Sequence, residues 1–429
     1  MFHRRILSIH LLTLLAACAH PSLPRPGAGG PGVATSGDAC LLSTGEVTAR
    51  ARRLTIALAE PVDPRHAPLP RSDAERVVFR HLYETPVRLD CEGHVVPALA
   101  EKWVRDDDGR RWTFRLRDDA QFWDGAPVTA QDVVFGRSGV GYTLAALETR
   151  VVTVMLARPM DKVPPLLADP ALAVTKPAPD SSWPIGTGRY WATSATTTPQ
   201  EIRAHSNAGD TLVFRIASGD ARDLLDAGVD LLVTRDRALR DYAATQQGFG
   251  VVALPWDRTY VFVTPEAGGN RLDGLEQAVR AEARRAEGPF WWLDLRACGA
   301  PPAASPPAAA ATQRRILYSR ADPTARELAG RLAALTRAVA VARAPDELTD
   351  ALSGGREWGY IVALPRVVAD PCRAARELLP SWAATVTALV DTRATAVVRR
   401  GVARWAVDQD GTVHLAPPAR PARPGRPAP

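Results

Sequence analysis

Apolar and polar positions follow two periods along this chain, and the changes between them mark its elements. The apolar run at 54–58, with Leu54, Ile56 and Leu58, predicts a short strand. Ser72 and Glu75 have the spacing of a capping box ahead of Val77, Val78 and Leu82, so a helix should start there. Trp112, Phe114 and Leu116 alternate with polar residues, as a half-buried strand does. Asp124-Gly125 is a turn signal, and Thr129 with Asp132 can cap another helix. A helical pattern at 220–227 stops at Gly228, and a strand is expected at 229–233. The pattern is clearest from 315 to 380. Strands at 316–318, 338–342 and 358–363 alternate with helices that begin at Asp322-Pro323 and Pro345, the second ended by Gly354-Gly355. Strand and helix in alternation predict an α/β lobe with helices on a mainly parallel sheet.

Composition narrows the class. The chain has 429 residues, 46% hydrophobic and 23% charged, which suits a packed protein of two or three domains. It has no apolar stretch of about 20 residues, which excludes a polytopic membrane protein. The formal charge of +6 comes almost wholly from arginine, the lysines being Lys102, Lys162 and Lys176. These arginines are interleaved with acids and form no basic stripe, so no nucleic-acid partner is expected.

The first 17 residues read as an export signal: Arg4 and Arg5, then a mostly apolar run too short for a stable bilayer anchor. Leu15-Ala16-Ala17-Cys18 closes the run and resembles the lipobox of bacterial lipoproteins, which implies lipidation of Cys18 and a membrane-anchored chain on the periplasmic or other extracytoplasmic face. Residues 18–49 read as a flexible tether. A low-complexity loop is expected at 299–312, and a disordered Pro/Arg tail at 417–429. With Cys18 lipidated, four cysteines remain: Cys40, Cys91, Cys298 and Cys372. They allow three disulfide pairings, the local one being Cys40–Cys91 with Cys298–Cys372. The cysteines match no zinc motif, and His66, His81 and His94 match no compact ligand set, so neither metal nor cofactor is expected.

Several ordered blocks resemble family 5 of the bacterial extracellular solute-binding proteins, the peptide, dipeptide and nickel receptors of ABC importers. They are Leu82-Tyr83-Glu84, the segment 93–103 ending in Glu101-Lys102-Trp103, the segment 112–117, and the segment 122–135 with Phe122-Trp123-Asp124-Gly125. Gly186-Thr187-Gly188-Arg189-Tyr190 is similar to the family's GTGxY block, Gly228 to Leu231 to a further step, and Tyr260 to Thr264 to its crossover strand. The segment 389–415, with Asp410-Gly411, is similar to its closing segment.

The resemblance implies a two-lobed clamp of the periplasmic-binding-protein type (type II), with mixed sheets flanked by helices and an inserted subdomain in lobe one. Lobe one would span 50–258, its inserted subdomain about 84–184, lobe two 259–387, and the return to lobe one 388–416. It also implies ligand contacts at Glu75, Tyr83, Trp123, Tyr260, Trp358 and Asp370. The family's Trp-x-x-Asp-x-x-Asp-Pro run keeps only Asp370-Pro371 here. Leu364 stands at the Trp position and Val367 at the position that pairs with a peptide's α-amino group. A buried ammonium without a counter-charge is costly.

The expected function is capture of a peptide-like or other small organic ligand by a monomer that delivers it to ABC permease subunits. The alternative is a scaffold lipoprotein of the cell envelope that no longer serves transport. The chain carries no GxSxG, HExxH or Walker motif, so no catalytic residue and no enzyme activity is expected.

Overall fold

The computed structural model describes residues 40–42, 47, 51–135, 141–179, 181–192, 200–265, 290–291, 297–299, 313–366, 370, 372–383 and 385–416, all within the unit Gly37–Pro429. Two long strands, Phe249–Thr264 and Thr385–Arg399, run antiparallel through a mixed sheet of twelve strands among the described residues. Outward from Thr385–Arg399 come Leu231–Thr234, Arg53–Leu58 and Thr211–Ile216, the last three mutually parallel. Outward from Phe249–Thr264 come Gly359–Pro365, Arg315–Ser319 and Val339–Arg343, again mutually parallel. These two flanks form the two lobes.

The register locates the passage between them. Pairs from Phe249↔Arg399 to Ala253↔Thr395 lie beside Leu231–Thr234, and pairs from Tyr260↔Val390 to Thr264↔Thr385 lie towards Gly359–Pro365. The ladder slips between Ala253 and Trp256 and again between Trp256 and Arg258. Such irregularities bend and twist a strand pair locally, so the bend between lobes falls at 254–258.

Each flank is covered on both faces, because successive side chains of a strand point to opposite sides. In the first lobe Ile56 and Phe214 join Val77, Val78 and Phe79 of the helix Asp73–Leu82. Ala57 and Leu232 face the other way, onto Leu239 and Ala243 of the helix Arg237–Thr245. In the second lobe Ile316 and Phe262 meet Leu328 and Leu332 of the helix Pro323–Thr336. Leu317 and Val263 meet Ala374 and Ala375 of the helix Arg373–Leu378 on the opposite face. Burial on both faces is why these strands read as continuous apolar runs rather than as alternation.

A separate antiparallel sheet, ordered Ala100–Arg105, Arg111–Leu116, Val151–Leu156 and Tyr142–Glu148, has its own core of Leu99, Phe114, Leu116, Val152 and Val154. Thr129 opens the short helix Ala130–Val134 beside it with both bonds of a capping box. The segment around Gly186 and Gly188 packs against the end of the helix Asp73–Leu82. A Cβ on Gly186 would lie 2.2 Å from the Leu82 carbonyl oxygen, and one on Gly188 would lie 2.6 Å from it. Glycine at both places permits the backbone of Gly188 to donate to that same carbonyl at 3.0 Å.

Two expectations are corrected locally. The strand after Gly228 begins at Leu231, not at 229, because the Asp230 carboxylate accepts from the Thr55 N–H at 2.7 Å ahead of the regular ladder. Ser72 does cap its helix, accepting from the Glu75 N–H at 3.1 Å, but the Glu75 carboxylate turns away to the preceding loop. Cys40 and Cys91 are joined by a disulfide, and Cys372 is also disulfide-bonded. Cys18 and the side chain of Cys298 lie outside the described residues. Among the described residues no helix is long and apolar enough to cross a membrane.

Candidate functional site

Charged groups collect where the parallel strands of both lobes end. Glu60 lies two residues beyond Arg53–Leu58, Arg235 directly follows Leu231–Thr234, and Arg320 directly follows Arg315–Ser319. In open α/β sheets the carboxyl ends of the strands are where crevices form and ligands bind. Here these ends line a cleft of about 590 Å³. Its walls include Glu60, Asp73 and Arg235 from the first lobe, and Arg320, Asp322 and Arg326 from the second, with Arg258 at the bend between them.

A chain of ion pairs ties the floor together. Asp73, the first residue of its helix, accepts from Arg235 Nε at 3.0 Å and also pairs with Arg258. The Arg235 guanidinium holds Asp257 with both terminal nitrogens, one of them at 3.1 Å. Burial opposes ionisation of Asp73, but Arg258 and Arg235 outweigh it and hold its carboxyl below the usual range. Tyr260, fully buried, donates from its hydroxyl to Asp322 at 2.7 Å. Burial first, and the Asp322 charge second, raise the Tyr260 phenol above its ordinary value. Asp322 also caps the helix Pro323–Thr336, accepting from the Ala325 N–H at 2.9 Å.

Three cleft groups are not committed in this way. Glu60 Oε2 is buried and accepts no hydrogen bond among the described residues. Burial, with the neighbouring Asp73 and Asp322 charges, pushes its carboxyl from 4.5 up to about 7, and Arg258 and the Ser72 hydroxyl offset this only in part. On the facing lobe Arg320 and Arg326 are exposed, and among the described residues neither makes an ion pair. The cleft therefore offers an acceptor on one wall and cationic donors on the other. Its lining carries Asp, Glu and Arg side chains from both lobes, with Thr234 among them, a set suited to holding charge.

The six residues expected to touch ligand fall elsewhere, and none lines this cleft. Glu75 is buried and organises the loop before its helix, accepting from the N–H groups of Asp63 (3.1 Å) and Arg71 (2.7 Å) and pairing with His66 Nδ1 at 2.7 Å. Tyr83 lines a smaller cavity of about 210 Å³ that also takes in Asp408 and Thr412. Trp123 stacks on Trp191 with ring centres 5.7 Å apart. Trp358 packs against Phe262 in the second lobe's core. Asp370 accepts from the Cys372 N–H at 3.0 Å ahead of the helix Arg373–Leu378. Tyr260 meets the lining through its hydrogen bond to Asp322. Leu364 is buried in the core, and Val367 lies outside the described residues. Glu60, Arg235, Arg320 and Arg326 went unseen in the sequence; for the first three the one signal was position, a charge just beyond the end of an apolar strand, while Arg326 lies within the helix Pro323–Thr336.

Residues 94–207 match the family model described as bacterial extracellular solute-binding proteins, family 5 Middle. Over 58 residues the chain is 48% identical to the periplasmic murein peptide-binding protein MppA of Escherichia coli K12, a match covering 14% of this chain and 11% of that protein. Over 50 residues it is 44% identical to the nickel-binding periplasmic protein of the same organism, covering 12% and 10%. The matched segment thus spans about a tenth of the length of these curated relatives. The fold extends much further. The structure of the Escherichia coli murein tripeptide binding protein MppA superposes with a TM-score of 0.62 at 15% identity, covering 85% of this chain and 98% of that one. A dipeptide binding protein from Pseudoalteromonas sp. SM9913 in complex with Met-Leu gives 0.64 at 13% identity, covering 85% and 99%. The two-lobed binding-protein fold is therefore the fold of this chain.

Proposed function

For a chain that belongs to the family 5 bacterial extracellular solute-binding proteins, we propose the role of receptor for an ABC importer: capture of a small zwitterionic, peptide-like ligand between two lobes, outside the cytoplasm. The observation that carries this is the open cleft of about 590 Å³ walled by both lobes, within the size range of small-molecule sites. A collapsed or filled cleft would instead favour the scaffold reading. The ligand's cation faces Glu60 and Asp322, which stand in for the amine-pairing carboxylate absent at Val367. Its anion faces Arg320 and Arg326. Ligand contacts made only when the walls approach favour the closed form, and that form is what permease subunits would receive. Lipidation at Cys18 would keep the receptor at a membrane surface.

A thermal-shift screen with short peptides, metal chelates and sugars tests the reading. A ligand that binds only the folded chain raises the melting temperature by mass action. Short peptides are expected to do so, with the shift reduced in Glu60→Gln and in Arg326→Ala. Silence across all three libraries would count against a receptor. A shift indifferent to both substitutions would remove the cleft as its site.

A further inference from the structure

A second group of ligand-type side chains lies away from the cleft, on the turn that joins strands Val87–Leu89 and Val95–Pro97. Asp90, Glu92 and His94 each offer one donor atom, all within 4.8 Å of one another. Among the described residues they are the one such group of three. His94 Nδ1 lies 3.2 Å from Glu92 Oε2 and 3.4 Å from Asp90 Oδ2. Around a tetrahedral ion bound at about 2.0–2.2 Å, neighbouring ligand atoms are about 3.3–3.6 Å apart. The two His94 contacts match that spacing, and all three donor atoms lie within 4.8 Å of one another.

Asp90 supplies the independent sign of a missing ligand. It is 7% exposed. Its Oδ1 accepts from the N–H groups of Glu92 at 3.0 Å and His94 at 2.9 Å, which fixes the carboxylate plane. Its Oδ2 is buried, points at the other two donors and accepts no hydrogen bond among the described residues. A buried carboxylate oxygen without a donor is costly and calls for a partner. The His94 side chain is 61% exposed and Glu92 49%, so an ion pair alone would contribute little.

We propose that Asp90, Glu92 and His94 bind a divalent transition-metal ion, with water in the remaining positions on the exposed side. One imidazole nitrogen and two carboxylate oxygens suit zinc and its neighbours. Magnesium and calcium call for all-oxygen sets of six or more. The same turn carries Cys91, so the ion and the Cys40–Cys91 disulfide would hold one segment together. Searching the sequence for histidine or cysteine pairs passes over this alternating Asp-x-Glu-x-His set.

The test is calorimetric titration of the chelator-stripped full chain with ZnCl2, in parallel with His94→Ala, Glu92→Ala and the cleft variant Glu60→Gln. Both turn substitutions are at exposed side chains, and melting in chelator checks that the fold is retained. The expected result is one ion per chain in the parent and in Glu60→Gln, bound at least about ten-fold more weakly in both turn variants. A parent that takes up no zinc at millimolar concentration overturns the proposal. So does binding that the two turn variants leave unchanged, or binding lost only in Glu60→Gln.

Discussion

Glu60→Gln probes a cleft carboxylate whose Oε2 accepts no hydrogen bond among the described residues. In the folded chain its carboxyl is pushed from 4.5 to about 7, first by burial and then by the Asp73 and Asp322 charges. In the unfolded chain it returns to 4.5. Between these two values the folded protein keeps a proton that the unfolded chain releases, so stability falls as pH rises through this window. Below about pH 4.5 both states are protonated and the carboxyl contributes nothing. Above about pH 7 the penalty is complete, with a ceiling of about 3 kcal/mol at 1.36 kcal/mol per pH unit. Water in the open cleft screens the group, so about 1–3 kcal/mol is the working range. The amide keeps the shape and cannot ionise. Urea unfolding at pH 5 and pH 8 should therefore show the variant gaining on the parent by about 1–3 kcal/mol between the two conditions. An equal difference between variant and parent at both pH values would refute a penalty from ionising Glu60.

Two further substitutions probe the frame around the cleft. Arg235→Met leaves Asp73 without one guanidinium and Asp257, 8% exposed, without its bidentate partner. Removing one member of a buried pair costs about 3–5 kcal/mol, read as a lower denaturant midpoint, and a loss under about 1 kcal/mol would mean that Arg258 and water suffice. Gly186→Ala places a Cβ 2.2 Å from the Leu82 backbone oxygen, which cannot rotate away, whereas Gly219→Ala meets nothing within 4 Å. The first should lose at least about 2 kcal/mol, the second stay within about 0.5 kcal/mol, and equal melting temperatures for the two would show that the contact yields.

Much of the second lobe was legible because each of its signals is local. Pro323 and Pro345 fix helix starts through their own φ, and Asp322 caps through its own side chain, so neighbouring residues suffice to read them. The parallel pairing of 315–319 with 339–343 follows from the helix between them. The cleft was not legible in that way. Asp73, Arg235, Asp257 and Asp322 are separated by up to 249 positions and meet only because both long strands cross the bend. The resemblance pointed to Glu75 on its helix and to Tyr83 and Trp123 in its blocks; here Glu75 anchors the preceding loop, Tyr83 lines a smaller cavity and Trp123 stacks on Trp191. The helix start at Asp322-Pro323 was legible, and Asp322 caps it, but its second bond, to Tyr260, has no sequence signature.

The strand Thr385–Arg399 has a consequence for how the chain comes into being. Its last residues sit between Leu231–Thr234 and Phe249–Ala253, in the middle of the first lobe's sheet. Until residue 399 has been made, and moved across any membrane the chain must pass, the lobe begun at residue 53 lacks an interior strand. The first lobe cannot be excised as a continuous early fragment, because its sheet is completed only by residues 395–399. A closing strand so distant in sequence makes completion of the first lobe a late, long-range folding event.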